Sequence, residues 1–340
     1  MCTPWYGLVR DVRASWQVTE PTEEHPMRPI VHGLLATALA ATAALAAGPA
    51  RATTAHHVLP SPVFGVTIDD VEDIEQVVAA EATLPHRPTT RVVFDDRVAP
   101  DHYRAPVERL RTVSHVMGEL LDSDHLRGTS VTAYQQRARA YVDALGGSVD
   151  VWEIGNEVNG DWTGPYGSVA QKIRAAFDVV EAAGGQTALT LYENSYAPDH
   201  CGDGPDELTP VQFSQQYVPE AMRAGLEYVW LSYYPTQCSP TTYPSAATVR
   251  AEVEQLHALY PNALIGFGEV GLPAKVRPST LAKARTVMNW AYNLDPGLDY
   301  YVGGYFWWYA YQDAFTGRRL LLPDLRGAFL NQAAALGTAG

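Results

Sequence analysis

The sequence predicts an α/β fold, a single (β/α)8 TIM barrel, and three observations carry the prediction. From residue 63 onward, short β-rich runs alternate with amphipathic stretches eight times. The runs are apolar almost throughout, as strands covered by helices on one side and a packed interior on the other must be. No long linker or shift in composition interrupts the series, so one closed parallel sheet accounts for it. A doubly wound open sheet is the competing arrangement. It would show a glycine-rich phosphate turn after the first strand, and Phe64-Gly65-Val66-Thr67-Ile68-Asp69-Asp70 has none.

The predicted strands cover residues 63–68, 90–94, 114–117, 149–154, 187–191, 228–232, 263–268 and 303–307, each rich in Val, Ile, Leu or aromatic residues. Helices with recognisable punctuation lie between them. Asp70 is placed to cap the segment 71–81, and Thr129-Ser130 to open a helix that runs to Leu145 and stops at Gly146-Gly147. Ser168 opens the helix that ends at Gly184-Gly185, and Thr209-Pro210 one that reaches Ala224. Segments 248–260 and 280–294 close at Pro261 and at Asp295-Pro296-Gly297.

The chain has 340 residues, 46% hydrophobic and 18% charged, enough to bury one large core and too apolar for a disordered chain. Its net charge is −14 with no Lys/Arg cluster, so a nucleic-acid partner lacks the electrostatic footprint it needs. Residues 27–52 read as a secretory signal peptide: Met27-Arg28, an Ala/Leu-rich stretch, then Ala50-Arg51-Ala52 as a cleavage site. A spanning helix is the alternative, but His32 and the many Ala and Thr weaken it as a stable membrane anchor. Residues 1–26 then form a non-structural leader or an over-extended start, 53–62 a lead-in, and 63–340 the barrel, expected to be a secreted monomer. Cys2 falls in the leader, which leaves Cys201 and Cys238 as the natural disulfide of an exported chain.

In such barrels the C-terminal ends of the strands carry the chemistry. Strand four ends in Gly155-Asn156-Glu157 and strand seven in Gly268-Glu269-Val270-Gly271. Two carboxyl groups across a glycosidic bond can divide the work of cleaving it. One protonates the leaving oxygen, and the other attacks the anomeric carbon with retention if the pair stands about 5–5.5 Å apart. The ionised nucleophile raises the pKa of the acid and keeps it protonated until it is needed. The residues therefore point to Glu157 and Glu269 as the working pair, with Glu193 after strand five as a competing acid. Glu119, Asp69-Asp70 and Asp95-Asp96 are further carboxylates at strand ends. Glu153, deeper in strand four, is expected to be salt-bridged inside the barrel to Arg91, and Trp162, in a polar loop, is a candidate sugar platform.

These motifs resemble the paired signature of the clan A retaining glycoside hydrolases. The resemblance implies that Asn156 holds a sugar 2-hydroxyl, that Glu157 is the acid/base and that Glu269 is the nucleophile. Ser232-Tyr233-Tyr234-Pro235 is similar to the strand-six segment of endo-β-1,4-galactanases, which implies that Tyr233 lies near the nucleophile. Trp307-Trp308 on strand eight matches the tryptophan beneath the sugar in that clan, with Trp307 taken as the inward ring. Arg91 on strand two matches an arginine that supports the nucleophile. Several clan families follow Asn-Glu with Pro, where this chain has Val158, and its family stays unassigned.

The expected function is hydrolysis of a β-linked poly- or oligosaccharide by double displacement, without cofactor. A carbohydrate-binding barrel without turnover and a transglycosylase are the alternatives. No Cys-x-x-Cys or His-Glu-x-x-His spacing points to a metal, and no Gly-x-Ser-x-Gly to a serine hydrolase.

Overall fold

The computed structural model describes residues 57–197, 201 and 207–337. The leader 1–26, the signal peptide 27–52 and residues 53–56 of the lead-in lie outside the described residues. Eight strands follow one another: β1 (Val63–Ile68), β2 (Thr89–Val93), β3 (His115–Glu119), β4 (Val151–Glu153), β5 (Gln186–Tyr192), β6 (Tyr228–Tyr233), β7 (Leu264–Val270) and β8 (Tyr301–Trp307). They pair in chain order and close into a barrel, with β8 parallel to β1. The helices are α1 (Ile74–Glu81), α2 (Arg104–Leu110), α3 (Ser123–Leu126), α4 (Val131–Leu145), α5 (Tyr166–Ala182), α6 (Pro210–Tyr217), α7 (Glu220–Gly225), α8 (Ala246–Leu259), α9 (Leu281–Ala291) and α10 (Leu322–Leu336).

Strand alternation divides the apolar residues between two cores. Met117, Val151, Trp230, Val302 and Phe306 fill the barrel interior. Their neighbours Val116, Trp152, Leu231, Tyr305 and Trp307 pack outward in the larger core under the helices. The interior accepts rings as large as Trp230 and Phe306 because glycines face them. A Cβ on Gly65 would lie 2.5 Å from the Phe306 ring, and one on Gly268 would lie 2.5 Å from Cβ of Trp230.

Local chemistry explains most helix boundaries. Ser130 and Ser245 accept from the backbone N–H groups of Ala133 and Thr248, each at 3.1 Å, capping α4 and α8. Thr209 and Gln212 form a capping box on α6. The predicted helix from Thr209 to Ala224 is two helices, because Val218 is extended ahead of Pro219, which has no N–H to continue the ladder. Asp70 closes a local turn onto the N–H of Glu72 at 2.8 Å, and α1 starts only at Ile74. Helix α5 begins at Tyr166, directly after Pro165, two residues before the predicted Ser168. Helices α2, α3 and α10 were not predicted. Cys201 and Cys238, in the loops after β5 and β6, are joined at 2.06 Å. Among the described residues no helix is long and apolar enough to cross a membrane.

Glu81, at the end of α1, is buried between helix and sheet and accepts one hydrogen bond from Thr90 Oγ1 at 2.8 Å. Burial pushes its carboxyl up to about 8. Between the unfolded value near 4.5 and about 8, the unfolded chain ionises this group and the folded chain does not, so its contribution to stability falls as pH rises. Glu81→Gln is expected to gain stability relative to the parent progressively from pH 5 to pH 8. Urea midpoints at both pH values check this.

Candidate active site

Arg91, on the inner face of β2, is fully buried and stands between three carboxylates. Its Nε and Nη2 donate to the two oxygens of Glu153 at 2.6 and 3.0 Å, a fork that occupies one edge of the guanidinium. Nη1 donates to Glu269 Oε2 at 2.9 Å, and Nη2 lies 3.1 Å from Glu119 Oε2. Burial alone penalises this cation, and the three carboxylates more than reverse the penalty, so Arg91 stays charged. Glu119 receives only that ionic contact, and burial drives its carboxyl well above the usual range. The pairing expected of Glu153 with Arg91 is therefore present, deep in the barrel.

Glu269 reaches the interior through a bulge. Phe267 packs outward, so plain alternation would turn Glu269 outward as well. The register between β6 and β7 shifts after Leu231, which pairs Ser232 with Glu269 rather than Gly268. The extra residue re-aims the carboxylate into the mouth. There Glu269 Oε2 takes Arg91 and, at 3.3 Å, Asn156 Nδ2, while Oε1 accepts from the Tyr234 hydroxyl. Burial raises its pKa, and Arg91 and Tyr234 pull against that rise.

Glu157 stands opposite in a different environment. It has φ +46°, a left-handed conformation that a non-glycine residue adopts at a cost of about 1–3 kcal/mol, and such strain clusters at functional positions. Ser232 Oγ donates to its Oε1 at 2.6 Å and Ser123 Oγ to its Oε2 at 2.9 Å. Burial drives this carboxyl well above the usual range and the charge of Glu269 drives it further, against the pull of the two hydroxyls. Arg91 directs its donors to the other carboxylates, so the charged form of Glu157 has less support than that of Glu269. Glu157 is also the more open of the two, being half-buried where Glu269 is only 4% exposed.

The mouth brings together Arg91 from β2, Asn156 and Glu157 from the end of β4, and Glu269 from β7. Trp162 is there too, half-buried, its Nε1 donating to Ser123 Oγ at 3.1 Å. Three expectations need correction. Tyr233 faces outward, its hydroxyl bound to the carbonyl of Thr242 at 2.8 Å and its ring against Trp290. It is Tyr234 that meets the nucleophile position. Trp307 also faces outward and donates to Asp313 at 2.9 Å, while half-buried Trp308 lies over Arg91, whose Cζ is 5.2 Å from the ring centroid. Both errors have one cause: Trp230 and Phe306 point inward, so the positions two residues on, Ser232 and Trp308, do as well. Glu193, third, follows inward Tyr192 and lies under the helices with no exposure, bound by the backbone N–H of Ser195 at 2.7 Å. It does not reach the mouth.

Sequence reasoning missed Tyr234, Ser123 and Ser232. Alternation would have found Ser232 and Tyr234. Ser123 lies in a short helix with no sequence signal. Asn159 is structural: its Nδ2 donates to the carbonyls of Tyr192 and Leu208 at 2.8 and 2.9 Å, tying the loop after β4 to its neighbours. Among the described residues no group of three or more His, Cys, Asp or Glu is arranged to hold a metal ion.

No protein-family model matches the sequence, and no curated protein matches it. The structure is similar to a GH10 xylanase from Bispora sp. MEY-1 solved with xylobiose, at 15% identity and a TM-score of 0.51, over 75% of this chain and 88% of that one. It is also similar to the Prevotella bryantii endo-β-mannanase/endo-β-glucanase PbGH26A-GH5A, at 14% identity and a TM-score of 0.51, over 81% of this chain and 49% of that one. At these identities the likeness is one of fold alone, a closed eight-stranded parallel barrel.

Replacing Arg91 with Met leaves three buried carboxylates uncompensated and is expected to cost about 3–5 kcal/mol in denaturant unfolding. Arg91→Lys keeps the charge but loses the fork, so an intermediate loss is expected. Gly268→Ala forces a methyl against Trp230 beside the bulge and is expected to destabilise by about 1–3 kcal/mol in the same assay.

Proposed function

We propose that this chain is a secreted, retaining O-glycoside hydrolase acting on a β-linked poly- or oligosaccharide. The observation that carries the reading is the contrast between Glu157 and Glu269. One carboxyl has an arginine, an amide and a phenol directed at it, and the other has only hydroxyls and a like-charged neighbour. Such a pair is suited to hold one group ionised and the other protonated at the same pH.

In the first step, Glu269 Oε1 or Oε2 attacks the anomeric carbon while Glu157 gives its proton to the departing glycosidic oxygen. The bond to the leaving sugar breaks as a glycosyl ester to Glu269 forms. As the nucleophile spends its charge, the charge of Glu157 appears, so the net charge of the pair is conserved. In the second step Glu157 takes a proton from water, the water oxygen attacks the anomeric carbon, and Glu269 leaves as carboxylate. Arg91 and Tyr234 hold the nucleophile in place through both steps. Asn156, fixed by the N–H of Ser123 at 3.1 Å, is positioned to meet a sugar hydroxyl beside Glu269. Trp308 and Trp162 offer ring faces to sugar rings. Secretion is supported by the signal-like segment 27–52 and by the Cys201–Cys238 disulfide.

The similar barrels are, by their names, a xylanase and a mannanase/glucanase, so the panel for a test begins with xylan, mannan and β-glucan. Cleavage by the parent is expected to fall by at least about a hundredfold in Glu157→Gln and in Glu269→Gln. NMR of the first product should show the β-anomer before mutarotation. An α-anomer would overturn retention, and tight binding without cleavage would favour a binding barrel. The pH profile of kcat/KM is expected to be bell-shaped, losing its acid limb to protonation of Glu269 and its alkaline limb to ionisation of Glu157.

A further inference from the structure

Ser123 makes three hydrogen bonds that meet both halves of the site. Its backbone N–H donates to Asn156 Oδ1 at 3.1 Å, which turns the Asn156 amide so that Nδ2 faces Glu269. Its hydroxyl lies 2.9 Å from Glu157 Oε2 and 3.1 Å from Trp162 Nε1. An indole N–H can only donate. Ser123 Oγ must therefore accept from Trp162, and its single proton is directed to Glu157. That proton meets Glu157 in its ionised form, while towards a protonated Glu157 the second lone pair of Ser123 Oγ can accept. Trp162 is held for this task. Its ring lies against Gly160, where a Cβ would come within 2.4 Å, and packs edge-on against Tyr192 at 5.0 Å between centroids.

We propose that Ser123 and Trp162 form a positioning relay in which the indole N–H orients the Ser123 hydroxyl, and that hydroxyl sets the orientation and proton affinity of Glu157. The inference rests on the reading of Glu157 as acid/base. Trp162 then does more than offer a platform to sugar: a ring that shifts on binding or is replaced also changes the group that gives up the proton. The other groups facing Glu157 are Ser232 from β6, Glu269 from β7, Asp122 from the turn before α3 and Tyr234 after β6. Ser232 donates to the other oxygen and stays in place when Ser123 is changed. Glu269, Asp122 and Tyr234 act through charge or dipole and are untouched by the variants below.

The test is the titration of Glu157 in the full chain labelled with carboxyl-13C glutamate, its resonance assigned by its loss in Glu157→Gln. A donated hydrogen bond favours the ionised form, so removing it raises the midpoint. Ser123→Ala is expected to raise it by about half to one pH unit. Trp162→Phe keeps an aromatic ring but no N–H, and is expected to shift the midpoint in the same direction by a smaller amount. The double variant should shift no further than Ser123→Ala alone, because Trp162 acts only through Ser123. Ser123→Thr, which restores a hydroxyl, should return the midpoint towards the parent value. An unchanged midpoint in Trp162→Phe, or shifts that add in the double variant, would overturn the relay. The titration reads Glu157 whether or not the chain turns over. The shifts seen together with failure to cleave any glycan would therefore overturn the glycosidase reading and leave the relay standing.

Discussion

One guanidinium inside the barrel organises everything above it. Arg91 has no solvent exposure, and burying such a charge is tolerable only where carboxylates and hydrogen bonds meet it in a fitted geometry. The partners come from β3, β4 and β7, so the ion cluster ties the C-terminal ends of four strands to one planar group. Glu153 takes the Nε–Nη2 edge and Glu119 lies beside Nη2, which leaves Nη1 for Glu269. A lysine in this place could satisfy the charge but could not divide its donors in a fixed plane.

That division of donors separates the two carboxyls at the mouth. Glu269 faces a cation, an amide and a phenol. Glu157 faces hydroxyls and the charge of Glu269, on a backbone held in the left-handed region. Two side chains of the same chemistry thereby meet opposite surroundings, one that favours its charge and one that opposes it. Packing below keeps the geometry rigid. Trp230 and Phe306 fill the barrel beneath the site, and glycines on the facing strands make room for them, so the floor under the carboxylates is solid.

Much of this was legible before the fold was known. Eight apolar runs separated by capped helices announced the barrel, since each run needs cover on both faces. Buried Glu153 implied a cation near it, and Arg91 was the inner-strand candidate. The boundaries that failed did so for local reasons: Pro219 splits a helix, and Asp70 closes a turn instead of capping one. Tyr233, Trp307 and Glu193 were misplaced although alternation from the large interior rings, or from Tyr192, was available to correct them.

The sequence by itself determined the period of each element, the strand ends on which carboxylates fall, and the presence of two cysteines to pair. Those properties are local, because they depend on side-chain volume, backbone propensity and spacing of two or three and a half residues. Only the tertiary structure decided which face each strand turns to the interior. The β7 bulge is the decisive case: alternation from Phe267 sends Glu269 outward, and the shifted pairing with β6 brings it in. Likewise Ser123 acquires its role from where α3 comes to rest against Asn156, Glu157 and Trp162. Such contacts join residues more than thirty positions apart, and no local rule encodes the register that brings them together.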